Sequence, residues 1–256
     1  MNMFIFILTA GTPDGIVLNV FNSATTKGKT SKAQLLNISL DLFRQDGFDN
    51  TTMRDIAKAA NMSLGAFYYY YPSKDSIVLD FYRQVQDEHV AMVAAGMGKK
   101  ATLRERLGLL MHTKLDILSG SRNLMGSLLR YTGHPDHPLS FLGESTSRIR
   151  EESMAMFADA LREEKLPDDM AESLPMLLWS MQMGILLFLL YDKSPNHERT
   201  RKLADVGLDL TVRMIKVARI PVFRPVRKML RELLVQAGFI TNQNHRAAQL
   251  VAEEKH

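Results

Sequence analysis

From Ser31 onward, apolar positions recur at three- and four-residue steps, and the first runs each open on a residue able to cap a helix. Ser31-Lys32-Ala33-Gln34 has the S-x-x-Q form of a capping box, and Leu35, Leu36, Ile38, Leu42 and Phe43 then supply one apolar stripe. Gly47 is placed to close that helix in the left-handed conformation. Thr52 caps a second helix, with Asp55 at its third position and Met53, Ile56, Ala57 and Ala60 on one face. Asn61 tolerates the turn that follows, Ser63 caps a short third helix, and Pro72 ends it. Ser73 then caps a longer helix over about 74–95.

Beyond Gly98 the pattern predicts amphipathic helices at roughly 102–118, 122–131, 139–164, 168–191 and 197–219. Pro221 and Pro225 precede two more, near 226–237 and 244–254. Residues 1–29 are irregular, with a possible short strand over Gly15–Phe21. The expected architecture is all-α, a small three-helix head on a larger bundle. Its parts are an extension at 1–29, a helix-turn-helix domain at 30–76, an effector-binding and dimerisation domain at 77–220, and additional C-terminal helices at 221–256.

Four tyrosines, Tyr68 to Tyr71, crowd the third helix. Successive helical residues point about 100° apart, so the run must serve more than one face. With Ser63 as cap, Phe67 and Tyr71 fall four apart and face the core, leaving Tyr68, Tyr69 and Tyr70 to fan outward. A helix, a tight turn and a short polar-capped second helix is the arrangement that lays a recognition helix in the DNA major groove. Exposed phenols suit phosphate oxygens and sugars, and Gly65 and Ala66 leave room for backbone to approach base edges. Lys74 opens the next helix, where its charge and the free N–H groups both favour a phosphate.

Residues 31–82 resemble the DNA-binding domain of the TetR family of bacterial transcription regulators. The resemblance is carried by Leu42-Phe43, Gly47-Phe48, Thr51-Thr52, Ile56-Ala57, Ala60, Ser63, Gly65, Tyr68, Tyr71 in the usual Phe position, and Ser73-Lys74-Asp75. It implies that Tyr68, Tyr70 and Lys74 contact phosphates, and that Thr52, Ser63, Leu64, Ala66 and Tyr69 lie on or beside the DNA-facing surface. Lys32, with Lys27 and Lys29, takes the place of the family's basic arm. Asn61 stands where the family has glycine, and Tyr71 adds a hydroxyl that needs a partner.

Composition narrows the chemistry. With 46% hydrophobic and 23% charged residues the chain is ordinary for a globular protein, and a net charge of +4 permits nucleic-acid binding without requiring it. The absence of cysteine removes disulfides, thiolate metal sites and cysteine nucleophiles. Gly28-Lys29-Thr30 is not a P-loop, because Ser23 stands where the motif needs glycine. His134-Pro135-Asp136-His137 reads as an exposed loop, and no nucleophile motif accompanies any Ser, His and Asp combination. No catalytic residue, cofactor or metal is expected. The apolar run at the start lacks a preceding positive charge, and Met176–Tyr191 is short of the ~20 residues a bilayer crossing needs, so a cytoplasmic protein without membrane contact is expected.

The 16 methionines suit an adaptable apolar cavity in the bundle, with Met111, His112, Met125, Leu129, Met156, Trp179 and Met183 as candidate lining. The segment through Leu187 is apolar around most of its circumference, and Leu203, Val206, Leu210, Met214 and Val217 form a seam, so these residues are the expected dimer interface. The function expected is a homodimeric one-component regulator, a repressor released from a palindromic double-stranded DNA operator by an apolar or amphipathic small molecule. The rival is an all-helical enzyme, or a lipid- or small-molecule-binding protein, with an incidental helix-turn-helix.

Overall fold

The computed structural model describes residues 31–239. Among them are ten α-helices and no strand. The head comprises α1 (Lys32–Gln45), α2 (Met53–Ala59) and α3 (Leu64–Tyr70), and α4 (Lys74–Gly96) runs from it into the body. The capping signals form as expected. Ser31 and Gln34, and Thr52 and Asp55, make reciprocal capping boxes, Ser63 Oγ accepts from Ala66 N, and Ser73 and Ser76 cap each other. Gly47 adopts φ 87°, and Asn61 turns the chain between α2 and α3 at φ 52°. Leu35, Leu36, Leu40, Phe43, Ile56, Phe67 and Tyr71 fill the space between these helices, whereas Ile38 and Leu42 only border it.

The body contains α5 (Leu103–Ser119), α6 (Arg122–Thr132), α7 (Ser147–Leu161), α8 (Asp168–Tyr191), α9 (Glu198–Ala218) and α10 (Arg224–Gln236). Helix α5 is its axle, packed against α4, α7, α8 and α9. Two ion pairs from Arg104 to Asp205 (2.8 Å) and Asp209 (2.6 Å) fasten α5 to α9, and Arg227–Asp169 (2.9 Å) and Arg231–Glu172 (2.6 Å) fasten α10 to α8. Helix α8 is long and apolar enough to span a membrane by composition, but it packs on α5, α6, α7, α9 and α10.

The helix expected over 139–164 is shorter. Residues 133–143 form a loop, Glu144–Thr146 a 3-10 turn, and α7 starts only at Ser147. Leu139 matches the helical period yet is fully buried as a loop anchor, and Phe141 N bonds back to Thr132 O at 3.0 Å, so tertiary contacts override the local pattern. The candidate strand over Gly15–Phe21, the candidate helix over 244–254, and Lys27 and Lys29 lie outside the described residues.

Candidate nucleic-acid interface and interior cavity

Helix α3 divides its tyrosines by direction. Phe67 and Tyr71 are buried, and the Tyr71 hydroxyl donates to Asp80 Oδ2 at 2.6 Å, which supplies the partner its extra oxygen needs. Burial and the neighbouring carboxylate both push its pKa well above the ordinary phenol value. Tyr68 is 44% and Tyr69 86% exposed. Tyr70 departs from the expected outward fan: it is half-buried against the head core and meets Tyr69 edge-on at 5.5 Å. Ser63, Gly65 and Ala66 are exposed and Leu64 half-buried. A Cβ at Gly65 would meet no atom of the described residues within 4 Å, so none of them requires glycine there. The surface is smooth where an external backbone or base edge would approach.

Two lysines expected at the DNA-facing surface, Lys74 as a phosphate contact and Lys32 as part of the basic arm, have other engagements. Lys74 Nζ donates to the carbonyls of Phe48 (2.6 Å) and Asp49 (3.3 Å) and lies 4.5 Å above the Phe48 ring. The ammonium therefore ties α4 to the α1–α2 turn, and its partial burial lowers its pKa. Lys32 pairs with Asp80 at 3.0 Å and covers the Tyr71 ring. Thr52 is exposed, but its hydroxyl is used in the cap, bonding Asp55 at 2.6 Å and holding that carboxyl below its usual range. Arg54 and Lys58 add positive charge beside this surface. They are exposed and four apart on the side of α2 opposite buried Ile56 and Ala57, a placement the same periodicity predicts.

Besides the continuous helix α4, a cluster at α6 joins the head to the body. Asp49 accepts from Tyr131 Oη and pairs with Arg130, both on α6. The Tyr131 ring meets Phe48 edge-on at 5.4 Å, Phe48 meets Phe43 at 5.1 Å, and Arg44 reaches Ser121 at 3.3 Å. Helix α6 thus touches both α1 and the turn that Lys74 clamps.

The body holds a half-open cavity of about 140 Å³ between α4, α5, α6, α7 and α8. Met125, Leu129, Trp179 and Met183 line it as expected. Met111, His112 and Met156 do not. Met111 is buried in the core around α5, His112 Nε2 sits 2.9 Å from Asp205 of α9, and the Met156 sulfur contacts Gln86 Nε2 at 3.4 Å. Helical spacing placed these three on neighbouring faces, and only the crossing of the helices decides which face meets the gap. Lys114, Gln86, Ser153 and Arg150 on the lining were missed. A signal existed for Lys114, which continues the buried series Leu107, Leu110, Met111 to Leu118 at three- and four-residue steps. Leu187 is 45% exposed and also lines the cavity, whereas Leu203, Val206, Leu210, Met214 and Val217 stand exposed in one row on α9.

A capped helix-turn-helix with an exposed second helix, joined through α6 to a helical body with an interior cavity, defines a one-component DNA-binding regulator. Residues 31–81 match the family model described as bacterial regulatory proteins, tetR family, and residues 106–233 match that of the tetracyclin repressor-like C-terminal domain. The chain belongs to the TetR family and is a ligand-responsive, DNA-binding transcription regulator. The transcriptional repressor KstR2 of Rhodococcus jostii is 27% identical over 151 residues, covering 56% of this chain and 72% of that protein. The transcriptional regulator RutR of Escherichia coli K12 is 28% identical over 164 residues, covering 60% and 76%. A TetR regulator from Nitrosomonas europaea superimposes with a TM-score of 0.59 at 15% identity, covering 71% of this chain and 98% of that one, which shows the shared fold. Members of the family bind DNA operators, typically bind small molecules, and typically form dimers.

Proposed function

We propose that the protein is a cytoplasmic homodimeric repressor that leaves a palindromic operator when a small apolar or amphipathic molecule enters the cavity. The observation carrying the DNA-binding part is α3, whose outward residues Ser63, Gly65, Ala66, Tyr68 and Tyr69 are not consumed by packing. Tyr68 and Arg54, with the N-terminal N–H groups of α4, position the head on phosphates, while Ser63, Leu64, Ala66 and Tyr69 meet base edges. Thr52 and Tyr70 border this surface. Lys74 and Lys32 act by holding the head together. Repression is favoured by the relative KstR2, a repressor by name. Of the described residues, 31–76 serve as the head and 77–220 as the body, with α10 added after residue 221.

The exposed row on α9 pairs with its symmetry copy, together with part of α8, and so sets the separation of two heads. Two half-sites one helical turn apart demand about 34–36 Å between recognition helices. Ligand in the cavity presses on Met125, Leu128 and Leu129 of α6, and the same helix holds Asp49 and Phe48 through Arg130 and Tyr131. A shift of α6 therefore moves the head. The test is a footprint on DNA flanking the gene: a protected palindrome, released by a cavity ligand identified by thermal shift, is the expected result. Retention on no DNA fragment at low salt overturns the reading.

A further inference from the structure

Two cationic side chains of α5 enter the interior, and they are treated differently. Arg106 is well served: it bonds the carbonyls of Ala160 (2.7 Å) and Ala101 (2.6 Å) and pairs with Glu163 (2.8 Å) and Glu164 (3.1 Å). Lys114, 6% exposed, has among the described residues one hydrogen bond for its three N–H donors, to Gln86 Oε1 at 3.0 Å. That oxygen also accepts from Ser153 Oγ at 2.8 Å. The neighbouring carboxylate of Glu152 is taken by Arg83 from α4 and by Arg148. An unpaired buried ammonium is costly and is normally compensated.

The cavity is where compensation is missing. Among the described residues its lining includes Lys114 and Arg150 and neither an aspartate nor a glutamate. Arg150 is occupied in holding the loop, donating to Phe141 O (2.8 Å) and Gly143 O (3.3 Å). The remaining wall is built chiefly from Leu, Met, Phe, Tyr and Trp side chains, so an entering molecule meets apolar surface on most sides and one under-bonded cation. Building on the effector reading above, we propose that the ligand is a small apolar monocarboxylate whose carboxylate is received by Lys114, with the Ser153 hydroxyl turning to donate alongside. At about 140 Å³ the space resembles a cavity of ~150 Å³ that accepts benzene, which fits an apolar part of about six to eight carbons. Burial holds the Lys114 pKa down to about 7, and a carboxylate beside it restores the charged form.

Calorimetry on the full chain decides this, with hexanoate, benzoate and phenylacetate set against hexanamide, benzyl alcohol and hexylamine. The acids are expected to bind about tenfold or more tighter than the neutral probes, from the charge-assisted hydrogen bond. Lys114→Met and Lys114→Gln should both reduce that preference to about twofold or less while neutral probes still bind. Equal binding of acids and neutral probes, no binding of any acid, or an acid preference surviving in both variants would overturn the inference. Release of footprinted DNA is measured separately. Neutral probes that bind and release DNA would leave the effector reading standing and this inference fallen. Lys114-dependent acid binding without DNA release would do the reverse.

Discussion

Lys114→Met removes a charge from the middle of α5 and keeps most of the side chain's length and apolar stem. The native lysine has a pKa near 7 when folded against 10.5 when free, because burial and the nearby Arg83 charge disfavour the ammonium. At about 1.4 kcal/mol per pH unit, that gap caps the destabilisation at roughly 5 kcal/mol. The variant loses the Gln86 hydrogen bond, worth about 1 kcal/mol, and leaves a small void costing about as much again. The net gain expected is therefore up to about 3 kcal/mol, within the range found when buried charges give way to apolar side chains. For a chain of this size each kcal/mol raises Tm by about 2–4 °C. The sign with pH follows from linkage. The folded pKa is depressed, so the native penalty is full below pH 7, shrinks as pH rises from 7 to 10.5, and vanishes above it. Thermal melts at pH 6 and pH 9.5, at one protein concentration because a dimer's Tm depends on it, should show the variant's advantage shrinking at the higher pH. A variant that melts lower than the native protein by the same margin at both values would refute the reasoning. It would mean that the ammonium is already satisfied within the fold.

Four further outcomes are expected. Affinity for a small carboxylate, measured by calorimetry, should fall by up to about tenfold per pH unit above pH 7 as Lys114 loses its proton. Of the groups around it, Arg83 and Arg150 carry fixed charge, Glu152 is held ionised, burial keeps Tyr82 protonated, and burial keeps His89 neutral with a pKa near 3. Arg54→Ala should weaken operator binding on every sequence and reduce the slope of log affinity against log salt by about 1 in a gel-shift titration; an unchanged slope removes Arg54 from the phosphate contacts. Leu210→Glu places a charge in the exposed α9 row, so sedimentation should find monomers, and a DNA-competent dimer would put the interface elsewhere. Tyr71→Phe should lower stability by about 1–2 kcal/mol in urea denaturation by stripping Asp80 of its 2.6 Å donor, with little change in DNA affinity.

What the chain alone determines here is whatever is settled within about four residues. The caps at Ser31, Thr52, Ser63 and Ser73 and the left-handed turns at Gly47 and Asn61 are local hydrogen bonds and local backbone preferences, so their spacing foretold the head and the outward direction of Tyr68 and Tyr69. The same locality explains the failures. Lys74 sits at a helix start where a phosphate would be welcome, yet its ammonium is claimed by carbonyls 25 and 26 residues away. Leu139 and Phe141 carry a helical period that the loop between α6 and α7 overrides through tertiary contacts, with Leu139 buried and Phe141 N bonded to Thr132 O. The cavity belongs wholly to the tertiary structure. Periodicity says which side chains face inward, but where five helices leave space is set by their crossings, and so Met111 fills the core while Met125 meets the gap. Lys114 joins the two levels: its spacing marks it as buried, and only the packed bundle leaves it without a carboxylate, since Glu163 and Glu164 close on Arg106 and Glu152 closes on Arg83.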